Sequence, residues 1–121
     1  MTIALWIVSG ITALAFLGAG VVKLARPQSA LVEQMAWAQD FSSWQIKVIG
    51  AFEVLGALGL ILPVLTGIAP VLTPIAAVGL VVIQLGAVVV HARRREVSMI
   101  VVNLVLAALA AFVAIGRLLG F

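Results

Sequence analysis

Four long apolar runs, separated by short polar or turn-forming connections, organise this chain from end to end. They extend from about Ile3 to Val22, from about Ile46 to Leu62, from about Val71 to Val90 and from about Ser98 to Ile115. Each approaches the ~20 residues that a helix needs to cross ~30 Å of hydrocarbon. A membrane barrel would show short alternating segments instead. The pattern therefore predicts an all-α fold, an integral membrane four-helix bundle that makes residues 1–121 a single domain. The first run has no basic residue before it and is followed by Lys23 and Arg26, the reverse of a cleaved signal peptide, so it is expected to be retained as a helix. The second run is expected to stop at Pro63. The uncharged stretch from Pro63 to Pro74, with Gly67 and Pro70 between, predicts a tight turn joining antiparallel helices.

One connection is long. In PQSALVEQMAWAQDFSSW, Leu31, Met35 and Ala38 fall at i, i+4 and i+7, with Glu33, Gln39 and Asp40 elsewhere. This spacing predicts a short interfacial amphipathic helix between helices one and two, over Ser29 to Asp40, covering the cytoplasmic mouth of the bundle. Trp37 and Trp44 would then lie at headgroup level, and the alternative is an ordinary loop.

Composition agrees with the pattern. Hydrophobic residues make up 65% of the chain and charged ones 9%, with mean hydropathy +1.36, against ~45–50% and ~25% in soluble domains. With no cysteine, a thiol relay, a disulfide and thiolate-ligated metals are excluded. The net charge of +3 rests on few groups beside the spans, so it reports topology and lipid headgroups, and no nucleic-acid surface is expected. Of the seven lysines and arginines, Lys23, Arg26, Lys47 and Arg93 to Arg95 flank the first and third connections and Arg117 alone marks the other side. By the positive-inside rule, both termini of this multi-pass protein of the cell membrane are expected to be extracytoplasmic, with Trp6 as an anchor there.

Within the apolar runs a few polar residues stand out, above all Glu53 in IGAFEVLGALGLILP. A carboxylate inside a span is costly and marks a packed polar site or a chemical one. Its helical face also carries Ile46, Gly50, Gly56, Ala57 and Leu60. Helix three places Gln84 and His91 on a face with Ala77 and Ala87. Helix four places Asn103 above Ala107, Ala110 and Ala114, and helix one places Lys23 with Thr12, Phe16, Ala19 and Gly20. Counted along each helix, Glu53, Gln84 and Asn103 lie roughly 7 to 11 Å below the cytoplasmic boundary. With the small faces inward, these three and Lys23 or His91 would share one polar layer, a candidate cofactor, substrate or proton site. The alternative is a set of interhelical ties, in which Glu53 bonds Asn103 or Gln84 only to hold register. His91, without a second histidine or a cysteine, predicts no metal site and reads as a solvated turn residue or a partner of Glu53.

GAGVVKL at Gly18 to Leu24, KVIGAFEVLGALGLILP at Lys47 to Pro63, LTP at Leu72 to Pro74, HARRRE at His91 to Glu96 and an apolar last helix ending in Gly116-Arg117 together resemble the DoxX-like family of small four-helix membrane proteins. The resemblance covers essentially the whole chain. It implies a four-helix bundle with Lys23 and Glu53 among the recurrent polar positions. The family takes its name from a subunit of a thiosulfate:quinone oxidoreductase, and other relatives look like membrane partners of redox complexes or receptor-assembly chaperones. Lacking cysteine and a soluble subunit region, this chain is not expected to oxidise thiosulfate on its own.

Three readings stay open, and none names a catalytic residue or settles whether the chain is an enzyme. The first is an accessory component of a membrane redox system whose inter-helix cavity near Glu53 holds a quinone-like or other apolar molecule, with no covalently bound cofactor. The second is a non-enzymatic membrane partner or assembly factor, acting on a membrane or redox protein or as a homo-oligomer. The third is a small proton-coupled transporter, which resembles the four-helix multidrug exporters except that their glutamate lies in the first helix. In all three the lipid bilayer is a partner.

Overall fold

The computed structural model describes residues 1–121, the side chain of Gln34 excepted. Helices α1 (Thr2–Ala25), α3 (Ser43–Thr66), α4 (Leu72–Arg93) and α5 (Val97–Leu118) are the four long apolar elements, and α2 (Gln28–Gln34) is a short helix in the connection. At 22 to 24 residues, the long helices measure about 33 to 36 Å, enough to cross a bilayer. Leu, Val and Ile side chains such as Leu14, Leu55, Val82 and Val105 are exposed around the outside. The protein is a multi-pass membrane bundle. Its chain runs up and down, α1 packing most closely on α3 and α4 on α5, with α3 against α4 and α1 against α5 closing the ring.

Each helix runs a few residues beyond its apolar run, for local reasons. Ser42 caps α3 reciprocally, its Oγ accepting from Gln45 N and its own N–H donating to Gln45 Oε1, so α3 starts three residues before Ile46. At the other end the expected stop at Pro63 is wrong. Helix α3 continues through Pro63 to Thr66 and ends at Gly67, whose φ of 74° lies in the left-handed region. Proline removes the N–H that would bond the carbonyl four residues back, here Gly59. The hydroxyl of Thr73 on α4 donates to that carbonyl at 2.8 Å, which supplies the missing partner within the membrane. The helices approach closely there, since a Cβ on Gly59 would lie 2.7 Å from Ala76 Cβ. The turn is therefore shorter than expected, and Pro74 sits inside the first turn of α4, where its missing N–H leaves no carbonyl unpaired.

The long connection also departs from expectation. Instead of one amphipathic helix it is α2 followed by a 3₁₀ turn over Ala36–Asp40, broken at Met35, whose backbone is extended (φ −130°, ψ 91°). Gln28 folds it back on itself, its Nε2 donating to the carbonyls of Ala38 and Phe41. Leu31 and Ala38 are fully buried and pack with Ile46. Trp44 is exposed, as a headgroup anchor would be, whereas Trp37 is half-buried. It turns inward with its ring edge-on to Phe41 and His91.

The two halves of the bundle differ. Away from the basic end the interior is filled by Leu5, Phe16, Leu60, Leu80, Val113 and the alanines between them. Toward the basic end the inward positions are Gly20, Gly50 and Ala87 with the polar residues. Side chains of that size do not fill the space between four helices, and a cavity results.

Candidate functional site

The α1–α3 contact sets up the site. Gly20 and Gly50 bring the two backbones together, since a Cβ on Gly20 would sit 2.6 Å from Gly50 O and one on Gly50 would sit 2.8 Å from Lys23 Cβ. Each glycine is followed three residues later by a charged residue on the same face, Lys23 in GVVK and Glu53 in GAFE. Close approach of the glycines therefore places these side chains side by side, and Lys23 Nζ lies 2.7 Å from Glu53 Oε1. Both are buried, at 7% and 2% exposure. The contact is an ion pair whose angles fall outside hydrogen-bond geometry, so Glu53 Oε1 keeps unused acceptor capacity. Lys47 secures the same junction by donating to Leu24 O at 3.1 Å, at the carbonyl end of α1.

Lys23 and Glu53 stand on the wall of a cavity of about 450 Å³. The opposite wall is α4 and α5, where Gln84, His91 and Asn103 are each buried to at least nine-tenths and face the same space. Gln84 Oε1 and Asn103 Nδ2 have no hydrogen-bond partner in the protein. Buried polar atoms are ordinarily paired, and each one left unpaired costs about 1–3 kcal/mol. An acceptor and a donor thus stand ready in an otherwise apolar chamber, completed by Met35, Trp37 and Phe41 from the connection and Met99 and Leu106 from α5.

A clasp of charged residues joins the connection to α4 and α5 at the basic end of the bundle. Arg94 Nη1 donates to Asp40 Oδ2 at 2.9 Å, tying the 3₁₀ turn to the α4–α5 junction, and Arg94 Nε pairs with Glu96 Oε1 at 3.3 Å. Glu96 also meets His91 Nδ1 at 3.0 Å. His91 is therefore neither a solvated turn residue nor tied to Glu53. Its partner is Glu96, five residues on, and its ring lies edge-on to Trp37. Arg93 and Arg95 stay exposed, whereas Arg94 is drawn into the clasp.

All five residues expected in the polar layer, Lys23, Glu53, Gln84, His91 and Asn103, line this one cavity. Of the partners open to Glu53, namely Lys23, His91 or an amide, the structure shows Lys23, because the glycine contact brings α1 closest to α3. Sequence reasoning missed Trp37 and Phe41 as walls and Glu96 as the partner of His91. The only signal for Glu96 was its place at the far end of the same short turn. Trp37 carried no signal, because the break at Met35 that turns it inward depends on the packing of Leu31 and Ala38.

No curated protein and no solved structure matches the chain. The family model described as the DoxX-like family matches residues 7–113, which include the glycine contact, the Lys23–Glu53 pair, both unpaired amides and the clasp. This chain belongs to the DoxX-like family.

Proposed function

We propose that this protein is an accessory component of a membrane redox system whose cavity holds a quinone-like ring. The observation that carries the reading is the pair of unpartnered buried atoms, Gln84 Oε1 and Asn103 Nδ2, in the chamber that also presents Lys23 and Glu53. A ring with oxygens at its rim suits a largely apolar space with a few convergent polar groups. Ring oxygens would accept from Asn103 Nδ2 and from the Lys23 ammonium, and a ring hydroxyl would donate to Gln84 Oε1 or Glu53 Oε1. Trp37 and Phe41 offer aromatic edges and faces to the ring. Glu53, which lines the same chamber, would accept a proton that leaves a ring oxygen or return one to it. Electron transfer itself falls to a partner.

The test uses dimethoxymethylbenzoquinone without a side chain as probe, and quenching of Trp37 fluorescence in a Trp6→Phe/Trp44→Phe background as readout. The parent should show saturable quenching. Asn103→Leu and Gln84→Leu should abolish saturation and yet unfold no more easily than the parent, since each removes an unpaired buried polar atom. An amide that merely ties helices together would give the opposite result, lost stability with unchanged quenching. Quenching that never saturates in the parent defeats the reading.

A further inference from the structure

The cavity has a neighbour on the outside of the bundle. Along the outer seam of α3 and α4 runs an apolar groove of about 580 Å³, floored by Gly56, Gly59, Ala76 and Gly79. Val82 and Ile83 line both the groove and the cavity. On α4, Ala76, Gly79, Ile83, Gly86 and Val90 fall at i, i+3, i+7, i+10 and i+14, which is one stripe along the helix. Its first two residues line the groove, its last two the cavity, and Ile83 lines both. Gly79 and Gly86 are exposed, and a Cβ on either would meet nothing within 4 Å. The cavity and the groove therefore lie on either side of Ile83, at the seam of α3 and α4.

The polar groups lie at one end of this path only. From Ile83 to Leu72 the groove extends about 16 Å along α4 at 1.5 Å per residue, roughly half the ~30 Å hydrocarbon thickness. That half is the one away from the basic clasp. A phospholipid of the nearer leaflet would end its chains near the midplane, short of the groove, and one of the opposite leaflet would keep its headgroup at the surface away from Gln84 and Asn103. The path suits a molecule whose polar ring is drawn down to Gln84 and Asn103 and whose single hydrocarbon tail continues past the midplane. We infer that the ligand of this site is a long-tailed amphiphile, its ring in the cavity and its tail leaving through the Ile83 portal into the α3–α4 groove, by which it reaches the site from the bilayer. This inference rests on the ring-binding reading above and adds the tail and its route.

The two open glycines separate the chambers. Gly79→Leu adds bulk on the groove side and Gly86→Leu on the cavity side, each from a Cβ position with nothing within 4 Å. The probes are dimethoxymethylbenzoquinone with no side chain and the same ring carrying a decyl chain, read by Trp37 quenching in nanodiscs with concentrations corrected for partition into lipid. Gly86→Leu should weaken both probes. Gly79→Leu should leave the tail-free ring unchanged and weaken the decyl compound by about tenfold or more, equivalent to about 1.4 kcal/mol. Gly79→Ala, one methyl in the same place, should fall between. If Gly79→Leu binds the decyl compound as the parent does, the groove is not the tail route and the inference fails while ring binding stands. If neither probe saturates the parent protein, ring binding fails and takes the tail route with it.

Discussion

Separating Lys23 from Glu53 is the sharpest perturbation this bundle offers. At 2.7 Å, with both side chains buried, removal of one partner leaves a charge that must lose its ionisation or be repaid elsewhere. Neutralising the stranded group sets a ceiling on the penalty. Taking ordinary side-chain values, protonating a carboxylate at pH 7 costs about 3.7 kcal/mol and deprotonating an ammonium about 4.6 kcal/mol. These ceilings agree with the ~3–5 kcal/mol found when buried pairs are broken. The ceilings move in opposite directions with pH. In Lys23→Met the stranded carboxylate takes up a proton more easily as pH falls, so the variant should regain about 1.4 kcal/mol per unit of acidification. In Glu53→Gln the stranded ammonium loses its proton more easily as pH rises, so that variant should regain the same amount per unit toward alkaline pH. The double variant strands nothing and should lie within about 1 kcal/mol of the parent, because buried pairs and neutral replacements of similar volume differ little. Denaturation in mixed micelles, followed by tryptophan fluorescence at several pH values, measures all four proteins. Equal slopes for the two single variants, or a double variant no more stable than the weaker single, would refute this account of the pair. Because Glu53→Gln alone confounds folding with chemistry, its effect on the cavity is read against Lys23→Met and the double variant, which separate the loss of the ion pair from the loss of the carboxylate.

Three further outcomes are expected. Thr73→Val, which strips the donor from Gly59 O, should cost about 1–2 kcal/mol in the parent and close to nothing in a Pro63→Ala background, where the helix regains its own N–H for that carbonyl; equal cost in both backgrounds would show that the hydroxyl does not serve the proline gap. Gly20→Ala should be destabilising by about 1–3 kcal/mol, because its Cβ would lie 2.6 Å from Gly50 O, whereas Gly10→Ala and Gly18→Ala, with nothing within 4 Å, should be neutral or stabilising by about 0.5–1 kcal/mol in the same assay. From the positions of the lysines and arginines, a reporter fused after Phe121 should be active only if it works outside the cytoplasm; cytoplasmic activity would reverse the assigned orientation.

What the sequence determined by itself follows from the solvent. In a bilayer the backbone must satisfy its own hydrogen bonds, so four long apolar runs leave helices as the economical answer, and small residues at helical spacing show which faces turn inward. Glu53, Gln84 and Asn103 were legible as one layer, with Lys23 or His91 beside them, because depth along a helix is simple arithmetic. Which of these polar groups pair was not legible. That depends on which helices come closest, and the Gly20–Gly50 contact gives Glu53 to Lys23 rather than to Gln84 or Asn103. The helix end at Thr66 was misread for a similar reason, since the donor that lets α3 pass Pro63 comes from another helix. The inward turn of Trp37 was not legible because the break at Met35 arises where Leu31 and Ala38 bury against Ile46, a packing event that no local period records. The cavity belongs wholly to the tertiary structure. A run of small inward residues is compatible with tight packing or with a void, and only the positions of four helix axes, set by contacts elsewhere in the bundle, decide between them.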